Sequence, residues 1–435
     1  MLQLQFFSGS NHVKFWYSPR TRKVRFRAFD RLWRKRTYEY IIPSKSFCSD
    51  YCSWPNPPTN TYEPYVFESD VEIMPIIEYF FSTDKRCRVI SRNGVNDRRN
   101  RACMNRVSSS FSQDNRDSNK LIYITHGWGY KNGGWLITLK KRLLDKYGIG
   151  QTVVGVVYWT RGSRICTSGL CSIFAESRNS MTFERNSFIL SQNTVCCTQS
   201  VVAGAYGVAA ANTWPIGNIL AYVNEKIVPS RESNLFKTFC IGHSLGSHLC
   251  GFFGKMSKSL DKATTISKII ALDPAGPIWD YNDYHLQQDP NLRLNREDAE
   301  EVEVLHSNFK GLGFNYPLGT LDFYINGGNY QPGCENSLTE ITAHYCSHLF
   351  VQKIFIALNN KNGYRCKATW KCNIRDGRQL VDIENEITSE LRAKRCFKGP
   401  AVKMGKLDSS NERSEGVYWI DVDENSETCP FVSEE

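Results

Sequence analysis

The sequence predicts an α/β fold in which a mainly parallel central sheet carries helices on both faces. The first observation is an alternation along the chain: short apolar runs, typical of buried strands, are separated by stretches with helical periodicity. The second is residues 239–248, where an apolar strand pattern ends in a glycine-rich turn and continues as a helical pattern. Parallel strands need crossover connections, so the alternation indicates one sheet built from βαβ units.

The predicted elements follow in chain order. The predicted strands lie at residues 73–81, 121–125, 153–159, 235–241, 266–272 and 302–305. The predicted helices begin near Trp135, run over residues 209–227, and follow the turn at residues 242–246. The polar, arginine-rich stretch 84–118 is predicted to be a loop.

The length allows one large domain or two to three modest ones. The 435 residues are 41% hydrophobic, which is enough for a sizeable core. No apolar run reaches the roughly 18 residues that a membrane-spanning helix needs, so a soluble or peripheral protein is expected. We divide the chain into a basic segment, residues 1–45, outside the fold, and one α/β domain, residues 46–435.

Residues 160–204 do not fit the alternation of strands and helices. They separate a predicted strand from its helix, where connections in α/β folds usually have about 2–6 residues. Cys166, Cys171, Cys196 and Cys197 lie inside this stretch. We interpret it as an insertion, which is either a disulfide-bonded surface loop or an error in the deduced sequence.

The net charge of +10 is concentrated near the N-terminus. Residues 1–40 contain ten Lys and Arg side chains and two acidic ones, a balance of +8, which leaves about +2 for the rest. A basic arm could touch anionic lipid or nucleic acid, but a solvated segment is the favoured interpretation. The sequence has no zinc-finger spacing and no repeat, so nucleic-acid binding is not predicted.

The 16 cysteines indicate an oxidising compartment, and hence a secreted protein. Residues 1–17 lack the charged start and the long apolar run of a signal peptide. We give the cysteines more weight, and expect that the natural N-terminus is missing or replaced in this chain. Cys48 and Cys52 could form a small disulfide knot.

A serine within residues 242–246 is the candidate nucleophile. The turn reads Gly-His-Ser-Leu-Gly and fits G-x-S-x-G, the pattern of a strained turn between a strand and a helix. Glycines avoid steric clashes there, and the helix N-terminus behind Ser244 favours developing negative charge. The alternative is a glycine-rich turn with an incidental serine. The strand before the turn and the helix after it favour the nucleophile.

A serine nucleophile needs a base, and the base needs a carboxylate that holds its tautomer. Asp273 directly follows the predicted strand 266–272, at the edge of the sheet where sites of this type form. Residues alone leave four candidates for the base, all downstream of this strand: His285, His306, His344 and His348.

Two backbone N–H groups are predicted to stabilise an oxyanion. The N–H of Leu245 follows the serine, and the N–H of Trp128 lies in the loop after an early strand. Gly127 allows a close approach of the backbone at this loop. Each such donor typically contributes about 10²–10³ in rate.

In this order, the motifs resemble those of the pancreatic-lipase family of secreted lipases and phospholipases A1, over roughly residues 70–430. The matching segments are residues 125–128, 211–213, 242–248, 272–277, 298–299, 302–306, 318–324, 326–328, 331–334 and 346–348. The resemblance implies an α/β-hydrolase fold without a cofactor. It also implies that His348, which follows Cys-Ser, is the base. His344 is then a lid or surface histidine, His306 one at a strand end, and His248 a packing residue.

The chain departs from the family pattern at several places. Tyr158 stands where members often have an aspartate, and the insertion is foreign to the pattern. Some members bind calcium in the loop that matches residues 293–298. Here Asn295 replaces one acid, so Asp298 is expected to be a solvated or capping residue, and no metal site is predicted. The chain ends without room for the C-terminal β-sandwich of larger vertebrate members, as in the single-domain arthropod-type members.

The resemblance also implies a lid disulfide between Cys334 and Cys346, with eleven residues between them. Triglyceride-specific members cover the site with a long amphipathic lid. The short lid and the short loop 307–317 therefore resemble the phospholipase A1 branch. For the remaining cysteines, the expectations are burial of Cys240 and Cys250, and pairing of Cys87 with Cys103 and of Cys366 with Cys372 or Cys396.

These features predict a secreted serine esterase that hydrolyses carboxylic esters of lipids through an acyl-enzyme on Ser244. The expected partner is a phospholipid or acylglycerol substrate at a lipid–water interface, with peripheral membrane contact. One alternative is a triacylglycerol lipase without phospholipase activity. The other is a catalytically silent, yolk-type lipid-binding homologue, and the presence of Ser244, Asp273 and His348 argues against it.

Overall fold

The computed structural model describes most of the chain between residues 75 and 422, and three strands before it. The ranges described are 75–111, 119–163, 199–228, 237–260, 265–309, 311–334, 339–360, 367–373, 396–407 and 414–422, without residues 83, 94, 95, 130–133, 161, 278 and 280–289.

The secondary-structure elements are numbered in chain order. The strands are β1 (Lys14–Ser18), β2 (Lys23–Phe29), β3 (Lys35–Ile41), β4 (Ile76–Phe80), β5 (Arg86–Ile90), β6 (Lys120–Thr125), β7 (Thr152–Tyr158), β8 (Lys237–His243), β9 (Lys268–Leu272), β10 (Glu301–His306), β11 (Leu321–Ile325), β12 (Lys367–Cys372), β13 (Cys396–Lys403) and β14 (Gly416–Ile420). The helices are α1 (Arg98–Ser108), α2 (Gly134–Tyr147), α3 (Gln199–Ile227), α4 (Leu245–Leu260) and α5 (Glu340–Leu358). Within the described ranges, no helix combines the length and the apolar character needed to cross a bilayer.

Eleven of the described strands form one sheet, in the order β13-β12-β14-β11-β10-β9-β8-β6-β7-β4-β5. The seven central strands, from β14 to β7, are parallel. The outer two strands at each edge pair antiparallel. The prediction of a mainly parallel sheet is therefore confirmed, and the antiparallel edges are an addition that the sequence pattern did not predict.

The core lies on both faces of this sheet. Successive side chains of a strand point to opposite faces, and β6 shows the result. Leu121 and Tyr123 pack in the core that contains the buried side chains of α1, α3 and α4. Ile122 and Ile124 pack in the core that contains those of α2 and α5. The predicted helices on both faces are therefore present, and they hold the parallel strand ends in place.

The prediction that residues 84–118 form a loop is wrong, because they contain β5 and α1. Asp97 caps α1, and its Oδ1 accepts two backbone N–H groups of the first turn at 3.0 Å. The Asn100 side chain bonds to the backbone of β5, and the Cys87–Cys103 disulfide joins β5 to α1. Polar and covalent links thus supplement a short apolar face, in which Cys103, Met104 and Val107 are buried, on a helix that is otherwise rich in arginine.

Two sequence interpretations concern parts outside the large sheet. Strands β1, β2 and β3 form a separate antiparallel sheet, which the sequence pattern did not predict. The prediction that residues 1–45 lie outside the fold stays a prediction. Residues 164–198 of the expected insertion lie outside the described ranges. Helix α3 begins at Gln199 and not at residue 209, so the end of the stretch 160–204 belongs to this helix.

Four disulfides lie in the described part of the chain, and they are Cys87–Cys103, Cys240–Cys250, Cys334–Cys346 and Cys372–Cys396. The first and third pairs are confirmed as expected. The second joins β8 to α4, where only burial was predicted. The fourth joins β12 to β13, so the expected pairing of Cys366 with either of these cysteines is wrong. Cys366, Cys48, Cys52 and the cysteines of residues 164–198 lie outside the described ranges.

Candidate active site

Ser244 lies in the turn between β8 and α4, as the sequence predicts. Its φ of 57° is in the left-handed region, which is strained for serine. A Cβ at Gly242 would lie 2.2 Å from the Gly246 carbonyl oxygen, and a Cβ at Gly246 would lie 2.6 Å from that of His126. Only glycine fits at either position. Ser244 N donates to Leu272 O at 3.0 Å, which ties the turn to the end of β9.

Asp273 directly follows β9 and is fully buried, also with a positive φ of 42°. Its Oδ1 accepts the backbone N–H groups of Ser307 and Asn308 at 2.8 and 3.1 Å. Its Oδ2 lies 2.6 Å from His348 Nδ1. A Cβ at Gly313 would lie 2.5 Å from Oδ1, so the backbone there covers the carboxylate closely. Burial and three donors therefore hold Asp273 in one orientation.

His348 lies on α5, and its side chain is 6% exposed. Because Nδ1 donates to Asp273, Nε2 of the neutral ring is the nitrogen that can take a proton. Ser244 Oγ is not hydrogen-bonded to His348 in the part of the chain that the structure describes. Such bonds are often long in enzymes without substrate and tighten when substrate binds. The structure thus brings the candidate acid and the candidate base into direct contact, and places the candidate serine at the same ends of the strands.

The other candidate histidines have different partners. His344 Nδ1 lies 2.9 Å from Asn308 Nδ2, and its Nε2 lies 3.1 Å from Tyr330 OH. His306, at the end of β10, contacts Asp322 and not Asp273. His248 packs on Trp279 with ring centroids 4.0 Å apart. His285 lies outside the described residues.

The two predicted oxyanion donors belong to backbone that approaches the serine. Leu245 is the first residue of α4, where helix N–H groups favour negative charge. On the other side, a Cβ at Gly127 would lie 3.2 Å from Ser244 Oγ, so the loop after β6 passes directly beside the hydroxyl. Trp128 follows Gly127, and its ring packs edge-on against Tyr206 at 5.2 Å.

Sequence reasoning missed two residues that support the base. His243 Nε2 lies 3.0 Å from His348 O, and the two rings are 4.6 Å apart. Burial, and then the neighbouring His348, lower the pKa of His243 well below 6.5, so it adds no competing charge. Gln331 donates from Nε2 to Ser307 O at 2.9 Å, and from its backbone N to Ser347 Oγ at 3.0 Å. Both residues lie inside the motifs that resemble the pancreatic-lipase family, and this resemblance was the signal that could have identified them.

Two further buried histidines are neutral. His126 Nε2 accepts from Trp159 N at 3.2 Å, and His248 Nδ1 accepts from Leu294 N at 3.2 Å. Burial lowers the pKa of His126 to about 3 and that of His248 to about 3. In each ring the other nitrogen carries the proton and faces a carbonyl oxygen.

These pKa values predict acid sensitivity. Between pH of about 6.5 and about 3 the unfolded chain binds a proton at each of these histidines and the folded chain does not. The free energy of unfolding therefore falls as pH falls, by roughly 1.4 kcal/mol per pH unit and histidine. Urea denaturation at several pH values measures this slope. In a His248→Gln variant the slope should be shallower by roughly 1.4 kcal/mol per pH unit, the contribution of one histidine. An unchanged slope would contradict the lowered pKa of His248.

The loop 293–298 does not fit a calcium ion. Lys255 Nζ lies 2.5 Å from Asp298 Oδ1 and 2.8 Å from Arg293 O, so an ammonium already neutralises the carboxylate. Asp298 Oδ2 accepts from Asn295 N at 2.9 Å. Asp298 is 2% exposed, so the expectation of a solvated residue is wrong, and its carboxylate is instead paired with Lys255 and Asn295. The described residues include no group of three or more His, Cys, Asp or Glu that could hold a metal ion.

A parallel sheet with helices on both faces and a serine elbow at its strand ends is the architecture of an α/β-hydrolase. Comparison with protein families agrees. Residues 181–413 match the family model described as Lipase, which covers more than half of the chain and contains Ser244, Asp273 and His348. This chain belongs to the lipase family.

Curated relatives place it among pancreatic-lipase-type members. Phospholipase A1 1 of Dolichovespula maculata is 39% identical over 150 residues, which are 34% of this chain and 44% of the relative. Lipase member H-A of Xenopus laevis is 35% identical over 168 residues, 38% of this chain and 34% of the relative. Lipase member H of Oryctolagus cuniculus is 28% identical over 269 residues, which are 61% of this chain and 48% of the relative. The chain thus spans about a third to a half of the length of these relatives.

Proposed function

We propose that this chain is a secreted serine esterase that hydrolyses carboxylic ester bonds of lipids. The observation that carries the proposal is the 2.6 Å hydrogen bond between His348 Nδ1 and Asp273 Oδ2, beside the elbow of Ser244. Family membership supports it, because the relatives are named as phospholipases A1 or lipases. The disulfides of the described residues support secretion.

The mechanism has two half-reactions. In the first, His348 Nε2 takes the proton of Ser244 Oγ as the oxygen attacks the ester carbonyl carbon. The carbonyl oxygen becomes an oxyanion, which accepts from the backbone N–H groups of Leu245 and Trp128. His348 then gives its proton to the alcohol leaving group, and an acyl-enzyme remains. In the second, water attacks the acyl carbon with His348 again as base, and the fatty acid leaves.

Asp273 stabilises the His348 imidazolium that forms in each half-reaction. Its carboxylate already accepts two backbone N–H groups, so it stays an anion and does not take the proton itself. The neighbouring His243 is neutral, because burial lowers its pKa, and therefore does not repel the imidazolium. Asp273 therefore stabilises the positive charge that develops on His348, and His243 does not oppose it.

Within this activity, we assign phospholipids as good substrates, because the lid is short and anchored. Helix α5 begins at Glu340, so the second half of the segment between Cys334 and Cys346 is already the start of the helix that carries His348. A large lid movement would displace the base. A lid of this size cannot cover a wide apolar mouth, and an open mouth leaves a charged head group solvated, which avoids a desolvation cost of several kcal/mol.

Two exposed apolar side chains stand at this lid. Ile341 is 65% exposed and Tyr345 is 40% exposed, one helical turn apart at the start of α5. Large apolar side chains exposed side by side are typical of contact with another apolar surface. They support a substrate that is presented at a lipid–water interface.

The substrate assignment predicts phospholipase A1 activity at least comparable with activity on tributyrin, and little rate increase when tributyrin passes its solubility limit. A short lid has little to open at an interface, so the rate should follow substrate concentration smoothly. Rates on phosphatidylcholine vesicles, labelled separately at each acyl chain, and on tributyrin across that limit measure both parts.

The alternatives give different results in the same assay. A sharp rate increase on tributyrin without phospholipid turnover would mean that the chain is a triacylglycerol lipase. Binding of vesicles without turnover of either substrate would mean a catalytically silent lipid-binding homologue.

A further inference from the structure

His306 and Asp322 form a second buried histidine–aspartate pair, which the proposed triad does not use. His306 Nε2 lies 2.9 Å from Asp322 Oδ1, and the two side chains are 0% and 2% exposed. The residues belong to the adjacent parallel strands β10 and β11. The His306 ring also stacks on Tyr324, with centroids 4.2 Å apart and planes within 9°.

Both side chains of this pair also bond to the backbone of the loop that follows β10. Asp322 accepts the backbone N–H of Leu318 on Oδ1 at 2.8 Å and that of Gly319 on Oδ2 at 3.0 Å. The other ring nitrogen of His306 lies 3.1 Å from Phe314 O. Both ring nitrogens of His306 therefore face oxygen atoms, one of the Asp322 carboxyl group and one of a backbone carbonyl. His126 and His248 differ, because each receives one backbone N–H.

The pair fastens the loop between β10 and β11 at three points. His306 stands at the start of the loop, Phe314 O lies in its middle, and the two N–H groups bound by Asp322 lie at its end. The same loop contacts the candidate acid. Ser307 and Asn308, directly after His306, donate to Asp273 Oδ1 at 2.8 and 3.1 Å.

We propose that the hydrogen-bonded pair of His306 and Asp322 positions the active site. It holds the end of β10 so that the N–H groups of Ser307 and Asn308 aim at Asp273, whose other oxygen then aligns His348 for proton transfer. The inference rests on the proposed function, because that function gives Asp273 its role. Neither His306 nor Asp322 touches the reacting atoms, so their contribution is to geometry.

The test uses variants that remove the pair without leaving one buried partner alone. His306→Phe alone leaves the buried Asp322 carboxyl group without its side-chain partner, which is destabilising. The double variant His306→Phe/Asp322→Asn removes the bond between the two side chains, keeps a ring to stack on Tyr324, and keeps an oxygen for one of the two backbone donors. Reaction with a serine-directed organophosphate counts the competent active sites, and turnover of a soluble short-chain ester is expressed per titrated site.

We expect kcat per titrated site to fall about tenfold to a hundredfold in the double variant, because small displacements of catalytic groups have effects of this size. KM should stay within about twofold, because the pair does not contact substrate. A merely structural role would lower the number of titrated sites and the melting temperature, but not kcat per site. If the double variant does not fold, Asp322→Asn alone is measured in the same way.

Glu303→Gln is the matched control. Glu303 is a buried carboxylate on the same strand, three residues before His306, and it pairs with Lys268 at 2.6 Å and not with the loop that contacts Asp273. It should lower the melting temperature without changing kcat per titrated site. Wild-type kcat per site in the double variant, or an equal loss in Glu303→Gln, would overturn the positioning role. Wild-type protein that neither reacts with the organophosphate nor turns over the ester would overturn both this role and the proposed function.

Discussion

Ser244→Ala is expected to remove nearly all esterase activity, by about 10⁴–10⁶, while the protein remains folded. The hydroxyl is the only group lost, and the members of a catalytic triad act as a unit, so the remaining groups do not compensate. Alanine keeps the Cβ and meets the same strained φ of 57° as serine. Ester hydrolysis and thermal unfolding, measured on the same preparation, separate a chemical effect from a folding effect.

Ser247→Ala provides the control within the same turn. Ser247 is fully buried, and its Oγ donates to Gly242 O at 2.8 Å. Loss of that bond should reduce activity within about tenfold, because one hydrogen bond contributes about 1 kcal/mol. A serine-directed organophosphate should label Ser244 in the wild-type protein and in Ser247→Ala, and not in Ser244→Ala. Labelling at another serine, or an active Ser244→Ala variant, would remove Ser244 as the nucleophile.

His348→Ala is expected to abolish activity to a similar extent, whereas His344→Ala should keep most of it. Both histidines lie on α5, one turn apart, but only His348 contacts Asp273, at 2.6 Å. Without the imidazole, the serine hydroxyl has no base and the leaving alcohol no acid. kcat and KM on a soluble ester, measured for both variants, give the comparison.

A moderate loss in His344→Ala has a physical basis. His344 bonds to the Asn308 side chain, and the Asn308 backbone donates to Asp273, so its removal loosens a contact of the acid without removing it. We expect a loss within about tenfold, as for one hydrogen bond. The reverse pattern, with His344→Ala inactive and His348→Ala active, would mean that His344, and not His348, matches the base of the lipase family.

The parts of the site that are local in sequence were predictable. Glycines around a serine between a strand and a helix satisfy a steric condition that involves only neighbouring residues, and Ser244 has the strained φ that this condition implies. Asp273 follows its strand directly, and parallel strands place their ends at one edge of the sheet. The alternation of apolar runs predicted the layers of the fold for the same reason, because the period of a hydrophobic pattern depends only on residues close in sequence.

Other parts depended on contacts between distant residues. Nothing in the spacing alone separates His344 from His348, which lie on one helix. The choice follows from which ring reaches Asp273, 75 residues away in sequence. The error over residues 84–118 has a related origin, because the buried face of α1 is short, with Cys103, Met104 and Val107, and is completed by the bonds of Asn100 to β5 and by a disulfide.

The sequence by itself therefore determined the fold class, the elbow and the position of the candidate acid. Tertiary structure alone decided which polar groups are paired. Both ring nitrogens of His306 face oxygen atoms, whereas His126 and His248 are neutral and each receives a backbone N–H. A buried polar group takes the protonation state that its partners can satisfy, and those partners come together only when the strands are assembled in the sheet.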